Sequence, residues 1–299
     1  MYSFGVMKGK LLETRYLKSL ISVVDCGSIA DAARIEYVTA AAIGQRVQAL
    51  ERELGFALLT RTGYTAMPTE ACLSLLPRMR RLVSDASLLQ YDTDLDGLSG
   101  TLRIGAISTV LTGMLPRVLK ELTSKAPNAR PTIVPGSSLS LFESLQAGKL
   151  DAAVVVAPPF PLPKTLRAST LRREPLVLIT DKTKRGSAAE LMATHPYIRY
   201  DPNVWGGRYP ASFLADKKLE PTVLCDLDAL EAIAMLVADG LGIGLVPEWT
   251  GIERFTNECR VRPIPGSRYE REIVLLTRIP EDRPNLLALL AQVLDNHTT

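Results

Sequence analysis

The chain has 299 residues, 46% of them apolar and 22% charged, with a net charge of +3. That composition is ample for a buried core and excludes a disordered chain, and the length suggests about two domains. No stretch approaches the ~18 consecutive apolar residues of a membrane helix, and the charge, unevenly spread with eleven Lys/Arg against seven Asp/Glu in residues 1–84, permits phosphate contact without naming a partner by itself.

Taken in chain order, Leu17, Leu20, Ile21 and Val24 fall at helical spacing and predict a first helix that Gly27 ends. Ser28, followed three residues later by Asp31, is an N-cap signal for a second helix. Thr39 caps a third, with Ile43, Val47, Leu50 and Leu54 on its apolar face and Gly55 closing it. Alanines at 30, 32 and 33 and at 40–42 let two helices approach closely at a steep angle. Such a corner is how many proteins lay a helix into the DNA major groove. Residues 58–68 then give two short extended runs around a Gly-containing turn, a hairpin wing.

From Thr69 to about Tyr91 a longer helix carries Leu73, Leu76, Met79, Leu82, Val83, Ala86 and Leu89 as an apolar stripe, with Pro77 inside it. The stripe needs a cover, either a second copy of the helix or the helix's own domain. The acidic, Gly-bearing segment 92–100 is the best domain boundary.

Beyond it the pattern alternates strand and helix, which predicts a parallel α/β arrangement. Strands are expected at 102–107, 132–134 and 150–156, with helices around Leu115–Leu122 and Leu139–Leu145. The proline-rich run at 158–163 interrupts the series. A second series follows, with strands at 176–180, 197–200, 222–225 and 242–246 and helices at 211–217 and 228–239. A strand at 272–277 and a helix at 285–294 close the chain. Two α/β lobes of similar size imply a cleft between them.

At this point the sequence resembles the LysR-type transcriptional regulators over essentially its whole length from about Leu11. The resemblance is carried by Val24-Val-Asp-Cys-Gly-Ser28, Ala32-Ala33, Gln45-Arg-Val-Gln-Ala-Leu-Glu-Arg-Glu-Leu-Gly55, Leu58-Leu-Thr-Arg61, Pro68-Thr-Glu-Ala71 and Leu76-Pro77. Gly100-Thr-Leu-Arg-Ile-Gly105, Gly148-Lys-Leu-Asp-Ala152 and Asp239-Gly-Leu-Gly-Ile-Gly-Leu-Val-Pro247 continue it. It implies an α+β multidomain protein. A winged helix-turn-helix would occupy 1–68, with 1–10 as an extension, and a dimerising linker helix and hinge 69–99. A two-lobed α/β effector domain, related in fold to periplasmic binding proteins, would occupy 100–299. Its first lobe would take about 100–160 and 269–299, its second about 161–268. The implied partners are double-stranded DNA, a small-molecule effector such as an organic acid or aromatic metabolite, further copies of the chain in a homodimer or homotetramer, and RNA polymerase.

Family members usually begin the recognition helix Ser-Gln-Pro-Ala-Leu-Ser-Arg, where this chain has Thr39-Ala-Ala-Ala-Ile-Gly-Gln45. Gln45 can pair with an adenine edge, Ala40 and Ala41 can touch a thymine methyl, and Thr39 and Arg46 are placed for bases or phosphates. Arg34 and Arg61 suit phosphate positioning, each also readable as a solvated surface charge. The wing tip, usually basic, has Tyr64 and Thr65. In the effector domain Ser108, Thr109, Ser137 and Ser138 sit where hydroxyls and helix N–H groups hold an anion or simply cap helices. By the family pattern Tyr200, Trp205, Gly206, Gly207, Leu227 and Asp228 face the same cleft, with Trp205 as a wall or a lid on a flexible loop.

Three rival readings are weaker. Gly240-Leu-Gly-Ile-Gly244 precedes a strand instead of opening a helix, so a dinucleotide loop is the wrong geometry, and His195 and His297 have no catalytic partners in sequence, so no enzyme is expected. A solute-binding protein leaves 11–91 unexplained. A thiol redox regulator would test Cys225 with Cys259, although a buried, inert Cys225 is the better reading. The four cysteines form no C-x-x-C pair, so neither a metal nor a cofactor is expected. The first ten residues lack an apolar stretch with a cleavage signal, so secretion is not expected and a cytoplasmic location is.

Overall fold

The computed structural model describes residues 12–62, 65–88, 96–265 and 267–297, apart from the side chains of Arg61, Thr62, Thr65, Leu88 and Ser267. The chain divides into two units between Leu95 and Asp96. Among the described residues no helix is long and apolar enough to cross a membrane.

The first unit contains α1 (Thr14–Cys26), α2 (Ile29–Glu36), α3 (Ala40–Leu54), the hairpin β1 (Leu59–Thr62) and β2 (Thr65–Pro68), and α4 (Glu70–Leu88). Its helix ends follow local rules. Gly27 adopts φ 69°, and its N–H closes α1 on the Val23 carbonyl. Ser28 accepts the N–H groups of Ala30 and Asp31, and Thr39 accepts that of Ala42. Leu17, Leu20 and Val23 of α1 pack with Ala32, Ala33, Ile43, Val47 and Leu50. The corner between α2 and α3 is held by a polar cluster. Arg46 Nη1 donates to Glu36 Oε2 and to Ser19 Oγ, each at 3.0 Å, and Ser22 Oγ donates to the other Glu36 oxygen at 2.7 Å.

The long helix does not present its whole apolar stripe. Cys72 and Met79 belong to the core of the first unit, Val83 packs against it, and Leu76 is buried. Arg80 also pairs with Asp25 of α1. Only Leu73 and Leu82 of the stripe stand exposed, and Leu89 lies outside the described residues. The helix's own domain therefore covers much of the face assigned to a second copy. Positions 72, 79 and 83 recur at one-turn and two-turn spacing and meet α1 side by side.

The second unit contains two five-stranded sheets. The first takes β3 (Gly100–Ala106), β4 (Ala129–Pro135), β5 (Ala152–Val156), β6 (Leu166–Glu174) and the late strand β12 (Arg271–Arg278), in the order β4-β3-β5-β12-β6. With it go α5 (Ser108–Gly113), α6 (Leu115–Lys125), α7 (Ser138–Gln146) and α11 (Pro284–Asn296). The second takes β7 (Leu176–Asp181), β8 (Tyr197–Tyr200), β9 (Val223–Leu227), β10 (Ile243–Pro247) and β11 (Cys259–Pro263), in the order β11-β7-β10-β8-β9. Its helices are α8 (Ala188–Thr194), α9 (Arg208–Lys217) and α10 (Leu230–Ala238).

Neither sheet is purely parallel, contrary to the sequence expectation. β3, β4 and β5 are parallel, but β12 runs antiparallel to both β5 and β6. In the second sheet β8, β9 and β10 are parallel, whereas β7 is antiparallel to β10 and β11. The antiparallel strands flank the places where the chain passes between lobes, at Pro175 and near Glu270. Consequently β6 belongs to the first lobe, and the second starts near residue 175 instead of 161. β6 (LRASTLRRE) and β11 (CRVRP) escaped the sequence reading because both are edge strands rich in arginine. Charged edges discourage pairing with other chains and erase the apolar signal of a strand.

Candidate functional site

The first candidate surface is the outer face of α3. Thr39, Ala40, Ala41 and Gln45 are all exposed, as an edge that meets bases requires. Arg46 is not on that face. Its guanidinium is engaged by Glu36 and Ser19 and is one-quarter exposed, so it fixes the helix corner instead of reaching outward. Arg34 is exposed and pairs with Asp31 one turn earlier, a weak surface pair that is readily exchanged for a phosphate. Sequence reading missed Tyr37, which occupies the corner in the left-handed conformation at φ 55° and is 95% exposed. A bulky residue with positive φ is not a recognised turn former, so nothing in the sequence marked it. The expectations for Arg61, Tyr64 and Thr65 fall outside the described residues and side chains.

The second candidate is a cavity of about 270 Å³ between the lobes of the second unit. The first lobe brings Ser108 and Thr109 from α5 and Ser137 and Ser138 from the start of α7; the second brings Tyr200, Trp205, Gly206 and Asp228. Gly207 and Leu227 do not line it. A Cβ on Gly207 would lie 1.8 Å from the Asp201 carbonyl oxygen, so that glycine serves the fold of the loop. Gly206 has a different reason: a Cβ there would meet the Tyr200 hydroxyl at 2.2 Å.

The floor is an ion pair that the sequence did not reveal. Arg271 opposes Glu174 in the β12–β6 register, and both side chains are almost wholly buried, 1% and 4% exposed. Arg271 Nε donates to Glu174 Oε2 at 2.7 Å and Nη2 donates to Thr109 Oγ1 at 3.3 Å. Burial works against the charge of Arg271, but Glu174 and then Tyr200 outweigh it and hold the guanidinium above its ordinary pKa. Burial pushes the Tyr200 phenol up, so it stays protonated beside Arg271. Because β6 and β12 lead into the two interlobe passages, this pair ties together the strands from which the second lobe departs.

Further contacts clasp the lobes on both sides of the cavity. Thr112 Oγ1 donates to Glu231 Oε1 at 2.7 Å, and Arg254 Nη2 donates to the Thr112 carbonyl at 3.1 Å. Opposite, Arg208 Nη2 donates to the Ala157 carbonyl at 3.1 Å. Trp205 is not a lid on a loose loop. It is 8% exposed and lies edge-on to Phe142 and Phe160 at centroid distances of 5.7 and 5.5 Å, joining the core of the other lobe.

The cysteines do not form a pair. Cys225 lies on β9 and Cys259 on β11, the two opposite edges of one sheet. Four strand spacings put them about 19 Å apart, against a limit of about 7 Å between Cα atoms for a disulfide. Cys259 is the buried one, its thiol pushed up to about 11 by burial and by Glu258 and Asp181, while Cys225 is half-buried.

Two family models match this arrangement. A bacterial regulatory helix-turn-helix protein of the lysR family matches residues 14–73, and a LysR substrate binding domain matches residues 95–298. Among curated relatives, the transcriptional regulator ClcR of Pseudomonas putida is 28% identical, over 79% of this chain and 83% of its own length. The regulator IlvY of Escherichia coli (strain K12) is 25% identical, over 94% of this chain and 93% of its own. A solved full-length OxyR variant of Pseudomonas aeruginosa shares the fold with a TM-score of 0.72 at 18% identity, covering 95% of this chain and 98% of that one.

Proposed function

The chain belongs to the LysR family of transcriptional regulators, which join a DNA-binding helix-turn-helix to an effector-binding domain, and we propose that its effector occupies the cavity closed by Ser108, Thr109, Ser138, Tyr200, Trp205 and Arg271. One observation carries this reading: a cavity of about 270 Å³ walled by polar groups from both lobes, with a buried arginine beneath it. A ligand there touches both lobes at once, so it favours one arrangement of them over another. It acts on transcription only to the extent of that preference.

DNA is read by α3 through Gln45, with methyl contacts from Ala40 and Ala41, a hydroxyl from Thr39 and phosphate contact from Arg34 and Arg61. The wing adds Tyr64 and Thr65. With few polar side chains on α3, specificity also draws on DNA deformability and on the simultaneous footing of several subunits. Leu73 and Leu82, the exposed large apolar residues of α4 among those described, then belong to the contact between copies in a homodimer or homotetramer, and RNA polymerase is the downstream partner.

The test is genome-wide mapping of bound DNA in cells, followed by footprinting and bend-angle measurement on the mapped operators with candidate effectors drawn from the neighbouring genes. Discrete operators, and a footprint or bend that changes with effector, are expected. A ligand that binds tightly and leaves footprint, bend and transcription unchanged overturns the scheme.

A further inference from the structure

Among the described residues, every charged group in or under the cavity has a partner except one. Arg271 is neutralised by Glu174, and Asp201, beside the cavity, accepts the Asn203 backbone and side-chain N–H groups, each at 2.9 Å. Asp228 lines the cavity, remains open to the cleft, and has no hydrogen-bond or ion-pair partner among the described residues. Partial burial and the nearby Asp201 push its carboxyl above the usual range, with Arg271 opposing them. The wall of the first lobe is of the opposite character. The Ser108 hydroxyl has no hydrogen-bond partner among the described residues, Ser138 Oγ accepts the Val156 N–H at 3.2 Å, and Thr109 Oγ1 accepts from Arg271. All three hydroxyl hydrogens are therefore available to an acceptor. They lie with the first turn of α7 and the Arg271 guanidinium, a setting that favours negative charge.

We propose that the cavity takes an α-amino acid or a close relative bearing both an ammonium and a carboxylate. Asp228 receives the ammonium, and the hydroxyls of Ser108, Thr109 and Ser138 receive the carboxylate. The two signs lie on opposite lobes, so a zwitterion bridges them. A dicarboxylate would bring its second charge against Asp228 and Asp201, and a simple amine would leave the hydroxyl wall unused. Leu111, Val204, Leu230 and Trp205 offer apolar surface for a side chain. At about 270 Å³ the cavity lies just under the ~300–1,000 Å³ usual for drug-sized ligands, which suits a small metabolite.

This inference rests on the cleft being the effector site. The experiment is therefore calorimetric and thermal-shift titration of the full chain with three series: the twenty common amino acids, their 2-hydroxy and N-acetyl analogues, and a set of dicarboxylic and aromatic acids. At least one amino acid is expected to bind. Its two analogues should bind about tenfold or more weakly, as should the amino acid itself to Asp228→Asn, the loss of one charge-assisted contact. Ser108→Ala serves as the carboxylate-side control, and both variants lie on exposed residues, so unfolding temperatures should stay near that of the parent. If a hydroxy or dicarboxylic acid binds better and Ser108→Ala weakens it, the ligand class is overturned while the cleft stands. Amino-acid binding indifferent to both variants overturns the class and the cleft together, and an absence of binding by every amino acid overturns the class.

Discussion

The DNA-reading face and the interlobe cavity solve recognition in opposite ways. The face is one side of one helix, convex and sparsely polar: Thr39, Ala40, Ala41 and Gln45 lie within seven residues, on a helix seated by its packing against α1 and by the clamp on Arg46. The cavity is concave, sets polar groups among apolar walls, and is assembled from far apart, with Thr109 and Arg271 separated by 162 positions. A surface that meets a long, charged, repetitive polymer can borrow affinity from phosphates and from neighbouring subunits. A pocket for a small molecule has only its own few groups, so each must be held in place by buried structure.

The largest expected effect lies in the cavity floor. Arg271→Met leaves the buried Glu174 with only its longer contact to Arg172, Nε to Oε1 at 3.8 Å, and should lower the stability of the effector unit by about 3 kcal/mol, measured by denaturant unfolding. Arg271→Met combined with Glu174→Leu should recover most of that loss. A single variant with wild-type stability would mean that the pair is solvated and the contrast between the two sites misdrawn.

Next comes the reading face. Gln45→Ala should cost about 1–3 kcal/mol of operator binding while leaving non-specific DNA affinity unchanged. Equal losses on both kinds of DNA in a footprinting titration would remove Gln45 from base reading.

The smallest effect is at Gly44 of α3, where an added Cβ meets nothing within 4 Å. Gly44→Ala should raise the stability of the first unit by up to about 1 kcal/mol in thermal unfolding. The same change at Gly206 should destabilise, because its Cβ would strike the Tyr200 hydroxyl. Similar outcomes at both positions would erase the distinction between slack in the reading helix and tight packing around the cavity.

Legibility in sequence divides along the same line. The corner at 28–39 was readable because a cap is a contact between residues two or three apart, as Ser28 with Asp31 and Thr39 with Ala42. The hydroxyls at 108, 109, 137 and 138 were readable for the same reason, since each follows a strand and starts a helix. Arg271 was not. In sequence it is one basic residue ahead of an apolar strand, and only the β12–β6 register puts Glu174 opposite it.

The sequence by itself determined the end of α1, the starts of α2 and α3, most of the α/β alternation and membership of the family, because periodicity, capping and turn residues act over a few positions. Tertiary structure alone decided which side chains are desolvated. It turned Arg46 inward to Glu36, drew Met79 into the core of its own unit, set Trp205 edge-on to Phe142 and Phe160, and left Asp228 the one charge lining the cavity without a partner among the described residues. Burial depends on what packs from distant parts of the chain, and no local pattern carries that information.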